Sequence, residues 1–280
     1  MFDVNEDVLN DIKKSFIIPS KPALLDALKQ QLNSKDPDIG KVAMVISQDI
    51  GVAGAVLKVI NSPAYGLART VTDIKQSVMF LGLAGVNSLV TGLVLRQSFG
   101  KHKSSIPLDG FWEKASSVAK VAIFIAKRYK AQLCIEDIYT AALFQDCGIP
   151  AMAVKYGDYD QILDQADHDT EHTVTELEEL RYPTNHAVVG YFIASTWHLP
   201  PNICQLVLRH HEREYLDNFS DHASQLMFAV IKMAENIVHN LYRFRELPDW
   251  ETLKEPIFDI MGCDDDEYND IYEDVEQNVM

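Results

Sequence analysis

At 280 residues, with 47% hydrophobic and 24% charged residues, the chain has the composition of an ordinary globular protein, one large domain or two modest ones, and not of a disordered or fibrous one. Its 41 acidic against 25 basic residues leave a net charge of −16, which repels phosphate backbones and anionic lipid surfaces, so neither nucleic acid nor membrane is expected as a partner. Cys134, Cys147, Cys204 and Cys263 stand far apart with no Cys-x-x-Cys pair, the N-terminus lacks a signal-peptide pattern, and no apolar run reaches the roughly 20 residues that span a bilayer; a soluble, cytoplasmic protein is expected.

Apolar residues recur at helical spacing nearly throughout, and no strand-like alternation competes, so the fold class expected is all-α. Leu24, Leu28 and Leu32 mark a first helix, Ile39, Val42, Ala43 and Ile46 a second, and Val52, Ala55, Val56, Val59 and Ile60 a third. Asp38 and Asp49 stand where caps for the second and third belong, and Asn61-Ser62-Pro63 stops the third because proline disfavours helix at the residue before it. Asp73 opens the next segment with Ile74, Val78 and Leu81. After Gly82 the chain is almost continuously apolar through Val86, Leu89, Val90, Leu93 and Val94, which predicts a buried central helix. Gly100 to Gly110 mixes basic residues, serines and breakers and reads as a connection between lobes. The domains expected are an N-terminal helical lobe over 1–105, a second helical lobe over 106–240, and a C-terminal helical extension over 241–280 packed on the second lobe.

Phe111 to Tyr129 and Glu136 to Cys147 predict two helices of the second lobe, and further helices lead from His186, Pro201 and Asp221. Pro201 suits a first turn, where the amide has no intrahelical acceptor. Asp264 to Met280 is acidic, yet Tyr268, Ile271, Tyr272, Val275 and Val279 share one helical face, and Asp264, Asp265 and Asp266 sit where the helix dipole favours acids. A docked terminal helix is predicted.

His186, in Asn185-His186-Ala187-Val188-Val189-Gly190, and the pair His210-His211 are natural metal ligands. Adjacent residues on a helix point about 100° apart, so His210 and His211 serve one mononuclear site poorly, although two neighbouring metals could each take one. The plainer alternative packs one inside and turns the other to water. Asn61-Ser62-Pro63-Ala64-Tyr65-Gly66 reads as a helix stop and turn, in which Gly66 takes positive φ; the alternative is a partner-binding loop formed by Asn61, Ser62, Pro63 and Tyr65.

In Ala141-Ala142-Leu143-Phe144-Gln145-Asp146-Cys147-Gly148-Ile149 an apolar helix ends in an acid and a glycine. Together with the histidines, this resembles the HD superfamily of metal-dependent phosphohydrolases, where a helix ends in His-Asp and later histidines and an aspartate complete one or two metal sites. The resemblance places Asp146, His186, His210 and His211 at ligand positions. It departs at three points: Lys114 stands at the first histidine, Gln145 replaces the histidine of the His-Asp pair, and Glu235 replaces the late aspartate. Ile18-Pro19-Ser20-Lys21-Pro22, Ile46-Ser47-Gln48-Asp49, Lys58 to Gly66, Ser77 to Gly82, Phe111-Trp112, His186 to Gly190 and Trp197-His198-Leu199-Pro200 narrow the resemblance to the HDOD family, HD-related output domains of bacterial signalling proteins. It spans roughly residues 15 to 240. It implies an all-α HD-like lobe with an additional N-terminal lobe, and a signalling role without demonstrated catalysis.

Phosphoester hydrolysis at such a site needs cations that neutralise phosphate oxygens and generate hydroxide, which neither a lysine nor a neutral glutamine supplies. Lys114 is expected to form an ion pair with Asp146 in place of the missing cation, with His186, His210 and His211 lining the same relic cleft. The function expected is a non-catalytic regulatory module with no resident cofactor, which takes its input from a separate molecule and binds a signalling protein partner or a small ligand. The alternative is a metal-dependent phosphohydrolase in which Asp146, His186, one of His210 and His211, and Glu235 hold a divalent Mn, Mg, Fe or Ni ion. Cyclic-dinucleotide hydrolysis of the HD-GYP type is disfavoured, because Arg213-Glu214-Tyr215-Leu216 follows His210-His211-Glu212 where a Gly-Tyr-Pro loop is wanted.

Overall fold

The computed structural model describes residues 12, 14–17, 19, 21–99, 102–129, 133–212, 215–216 and 221–279. Ile18, Ser20, Gly100, Lys101, Arg213, Glu214 and Met280, used in the sequence reading, lie outside them. Among the described residues every regular element is a helix, and no single helix is long and apolar enough to cross a membrane.

Short-range hydrogen bonds set where the first helices begin and end. After α1 (Ala23–Leu32), Asp38 accepts from the Lys41 amide at 2.8 Å to cap α2 (Ile39–Ser47), and Asp49 accepts from the Val52 amide at 3.0 Å to cap α3 (Ile50–Ile60). Asn61 closes the loop after α3: its Nδ2 donates to the Leu57 and Val71 carbonyls at 2.9 and 2.8 Å, and its Oδ1 accepts from the Val71 amide at 2.8 Å. Within that loop Pro63–Tyr65 makes one 3₁₀ turn, and the buried Tyr65 ring lies under Lys127 Nζ at 6.0 Å. Asn61 and Tyr65 therefore hold the loop together, while Pro63 is exposed and Ser62 half-buried.

The next helix, α4 (Ile74–Phe99), bends by 111° around Gly82, whose φ of 73° is a backbone state that favours glycine. Beyond the bend Val86, Leu89, Val90, Leu93, Val94 and Leu95 are all buried. The helix as a whole packs on α2 and α3 and also on α6 (Ile135–Phe144), and one hydrophobic cluster runs through the chain from Ile12 to Val279. The N-terminal segment reaches the same body, with Trp197 Nε1 donating to the Pro19 carbonyl at 3.0 Å.

Residues 102–107 connect α4 to α5 (Leu108–Ala126). Leu108, Asp109 and Gly110, read from the sequence as part of the connection, form the first turn of that helix. The helix expected over Glu136 to Cys147 ends as α6 at Phe144, and α7 (Gly148–Lys155) starts after a turn. Two helices of eight residues each, α8 (Tyr159–Ala166) and α9 (Val174–Arg181), went unpredicted, since two turns are too short for a periodic pattern to stand out. They are followed by α10 (His186–Thr196), α11 (Pro201–Arg209), α12 (His222–Arg243), α13 (Trp250–Met261) and α14 (Asp265–Asn278). Helix α5 packs between α6 and α12, and α10 packs between α7 and α11. In α14, capped by Asp264, the side chains of Tyr268, Ile271 and Val275 are buried, and Tyr268 Oη accepts from Asn236 Nδ2 of α12 at 2.9 Å.

Candidate metal centre

Three helix boundaries bring the ionisable groups together. Asp146 lies in the turn between α6 and α7. His186 is the first residue of α10, fixed there by Asn185, whose Oδ1 accepts from the Val188 amide at 2.9 Å. His210 and His211 follow the end of α11 at Arg209. The turn around Asp146 can approach α10 because Gly148 has no side chain; a Cβ there would lie 1.9 Å from the His186 carbonyl oxygen and 2.8 Å from the Gly190 nitrogen. In this arrangement one ligand atom from each of Asp146, His186, His210 and His211 falls within 4.8 Å of every other.

The hydrogen bonds orient the rings. Asp146 Oδ1 lies 3.4 Å from His186 Nε2 and 3.2 Å from His210 Nε2, and the two Nε2 atoms are 3.5 Å apart. His186 Nδ1 faces the Glu178 carboxylate at 2.9 and 3.0 Å, and His210 Nδ1 faces the Val207 carbonyl at 2.9 Å. Both partners are acceptors, so the network assigns a proton to each Nδ1 and points both Nε2 atoms at Asp146. His211 Nε2 is buried with no hydrogen-bond partner among the described residues.

Charge follows from this packing. Burial opposes ionisation of Asp146, but hydrogen bonds from His186 and His210 outweigh it and hold the carboxyl well below its usual range. Burial also opposes a charge on His186, yet Glu178 and Asp146 raise it to about 10. His211 is pushed well below the usual imidazole range by burial first and then by His210 and Lys232, which leaves it neutral with a lone pair to give.

Three imidazoles and one carboxylate converging on a point, each Nδ1 of His186 and His210 held by an acceptor, fit a divalent transition ion. Second-sphere acceptors of this kind set the tautomer and basicity of metal-bound histidines. The orphaned His211 Nε2 is the feature a bound ion would satisfy, and at His186 the ion would take the place of the proton shared between Nε2 and Asp146.

Several sequence expectations change. Asp146 makes its ion pairs with His186 and His210 and none with Lys114, which lies exposed on α5 along the wall of the same cleft. Both His210 and His211 belong to the cluster, because they lie past the end of α11 and escape the 100° rule of a helix. Glu235 is outside it: its Oε2 accepts from Lys232 Nζ at 3.1 Å. Gln145 is buried, and its Nε2 donates to Asp146 Oδ2 at 3.3 Å.

Two residues escaped the sequence reading. Glu178 is fully buried and takes the His186 amide at 2.8 Å, His186 Nδ1, and the Tyr159 hydroxyl. Its helix inverts the usual pattern, since Leu180, two residues on, is 78% exposed. Lys232, also buried, bonds Glu235 and, at 3.3 Å, Asp249 Oδ2. A signal for Lys232 was available: Lys232, Glu235, Asn236 and His239 form a polar stripe at i, i+3, i+4 and i+7 in the otherwise apolar stretch from Leu226 to His239.

Beside the cluster opens a cavity of about 160 Å³ lined by Lys114, Asp146, His211, Lys232, Glu235 and His239 among others. A second, of about 480 Å³, adjoins it at Lys114, Asp146 and Asp167 and has apolar walls at Phe111, Val118 and Ile149. Together they make a cleft that a small molecule can enter next to Asp146.

The solved structure of an HDOD domain protein of unknown function from Geobacter sulfurreducens matches this fold with a TM-score of 0.72 at 23% identity, covering 97% of this chain and 93% of that one. A protein of Shewanella amazonensis, provisionally named a metal-dependent phosphohydrolase, matches with a TM-score of 0.68 at 18% identity, covering 98% of this chain and 97% of that one. In sequence, an uncharacterized protein of Treponema pallidum is 24% identical over 198 residues, 69% of this chain, and the chain spans 37% of that relative's length. The HDOD domain family model matches residues 18–213, well over half of the sequence, and the helical fold agrees with it: the chain belongs to the HDOD family.

Proposed function

We propose that the chain is a regulatory HDOD module whose Asp146–His186–His210–His211 centre holds one divalent ion, and that the adjoining cleft receives a small ligand or the side chain of a signalling partner without hydrolysing a phosphoester. The observation that carries this reading is Gln145. Its amide donates to Asp146 Oδ2, so the position that resembles an imidazole ligand in the hydrolases supplies a donor to the carboxylate instead. An ion bound by the four remaining residues would supply a Lewis-acid anchor for an anionic group. The chain's own contribution is orientation: Glu178 and the Val207 carbonyl fix the two rings, and Lys114 and His239 line the space where a ligand would sit.

A second reading, a metal-dependent phosphohydrolase with an altered site, is favoured by the open cavity beside three imidazoles and a carboxylate. One experiment separates the two. Protein purified without chelator is analysed for metal and screened against phosphoesters with added Mn²⁺. The regulatory reading expects bound metal and no turnover; turnover that Asp146→Asn abolishes transfers the conclusion to the hydrolase.

A further inference from the structure

We infer that Lys232 is a resident cation that keeps the centre mononuclear: its ammonium fills the place where Glu235 and Asp249 would otherwise hold a second divalent ion. The inference deepens the reading above and rests on the Asp146 cluster binding a metal.

Lys232 is 2% exposed, and its Nζ lies 3.1 Å from Glu235 Oε2 and 3.3 Å from Asp249 Oδ2. These acids come from different elements, Glu235 one turn along α12 and Asp249 from the residue before α13. Lys232, Glu235 and Asp249 line the same cavity as the ligands Asp146 and His211. Remove the ammonium, and the Glu235 and Asp249 carboxylates face the space beside Asp146 with no cation between them, an oxygen-rich donor pair suited to Mn²⁺ or Mg²⁺. Like charges confined there repel one another unless a cation lies among them. Burial alone would disfavour the Lys232 charge, but Asp249, Glu235 and then Asp146 reverse that and keep it protonated.

The consequence is chemical. Catalysis by paired ions about 3.5–4 Å apart clamps the attacking and leaving oxygens of an in-line displacement, and a fixed ammonium cannot take the second ion's share of that work. It can donate N–H groups to an anion already held by the first ion. A plain structural ion pair tying α12 to α13 is the competing account; it predicts lost stability on removal of Lys232 but no change in how many ions bind.

The test counts Mn²⁺ on the full chain by native mass spectrometry and equilibrium dialysis, with folding followed by circular dichroism. The wild type should take one equivalent. Lys232→Met should be destabilised without metal, recover its melting temperature as Mn²⁺ is added, and take two equivalents; Lys232→Met with Glu235→Gln should return to one. A wild type that takes two equivalents overturns the inference while leaving the metal centre intact. So does a Lys232→Met protein that takes only one, or that stays unstable at every Mn²⁺ concentration. A wild type that takes none removes both the inference and the metal reading beneath it.

Discussion

Gly148 faces the His186 carbonyl oxygen so closely that a Cβ on it would stand 1.9 Å from that atom. The obstacle is backbone at the start of α10, not the movable end of a side chain, so relief requires α7 and α10 to separate. Overpacking a closed interior costs typically about 1–3 kcal/mol and more where backbone must move. Gly148→Ala should therefore lower stability by about 3 kcal/mol and weaken Mn²⁺ binding as Asp146 is drawn away from His186. Chemical denaturation paired with metal titration checks both; an alanine variant with unchanged affinity would show that the close approach does not position the centre.

Glu178 should act on the metal through His186. Glu178→Gln keeps the shape but places an amide NH₂ against the His186 and Tyr159 donors. Loss of such an outer-sphere carboxylate typically costs 10–100-fold in metal affinity. Tyr159→Phe removes one donor only and should cost clearly less. Calorimetric titration of the two variants side by side gives the ranking.

Lys114→Met should be close to neutral for folding, within about 0.5 kcal/mol, because the side chain is exposed and Asp146 is paired with histidines. A loss of several kcal/mol in urea denaturation would reinstate Lys114 as the partner of Asp146.

His239 should make the stability of the fold sensitive to acid. Burial first, then the charges of Lys114 on α5, of Arg245 just beyond α12 and of Arg243 at its last position, lower it to about 4 against the opposing pull of Asp167. Between pH 6.5 and about 4 the unfolded chain binds a proton here that the folded chain refuses, so stability rises with pH across that window. The contribution is complete above pH 6.5 and is lost as pH falls through the window, by at most about 3 kcal/mol. His239→Gln should flatten the slope of unfolding free energy against pH over this range and leave it unchanged above pH 7.

The terminal helix should be structural. Ile271 is 1% exposed and Val275 fully buried. Large-to-small substitution of a buried isoleucine costs about 2–5 kcal/mol, and Ile271→Ala should fall in that range; deleting residues 264–280 should lower the melting temperature further. A truncated protein that melts with the full chain would show α14 to be dispensable.

What the sequence determined by itself is whatever depends on near neighbours along the chain. Asp38, Asp49, Asn185, Asp221 and Asp264 each accept from an amide three residues on, so the starts of α2, α3, α10, α12 and α14 were legible from residue type and position. The all-helical class followed from spacing, and the residue types at Asp146, His186, His210 and His211 were visible as a resemblance. Only the tertiary structure decided which charges meet. Leu180 is exposed and Glu178 buried because α9 docks its acid against His186, a partner with which it shares no local spacing rule. Lys232 and not Lys114 is the buried cation, because the meeting of α12 with Asp249 closes over one lysine and leaves the other in an open cleft. An ion-pair partner is set by where distant elements dock, and the free energy of burying a charge depends on that whole surrounding, which one stretch of sequence does not contain.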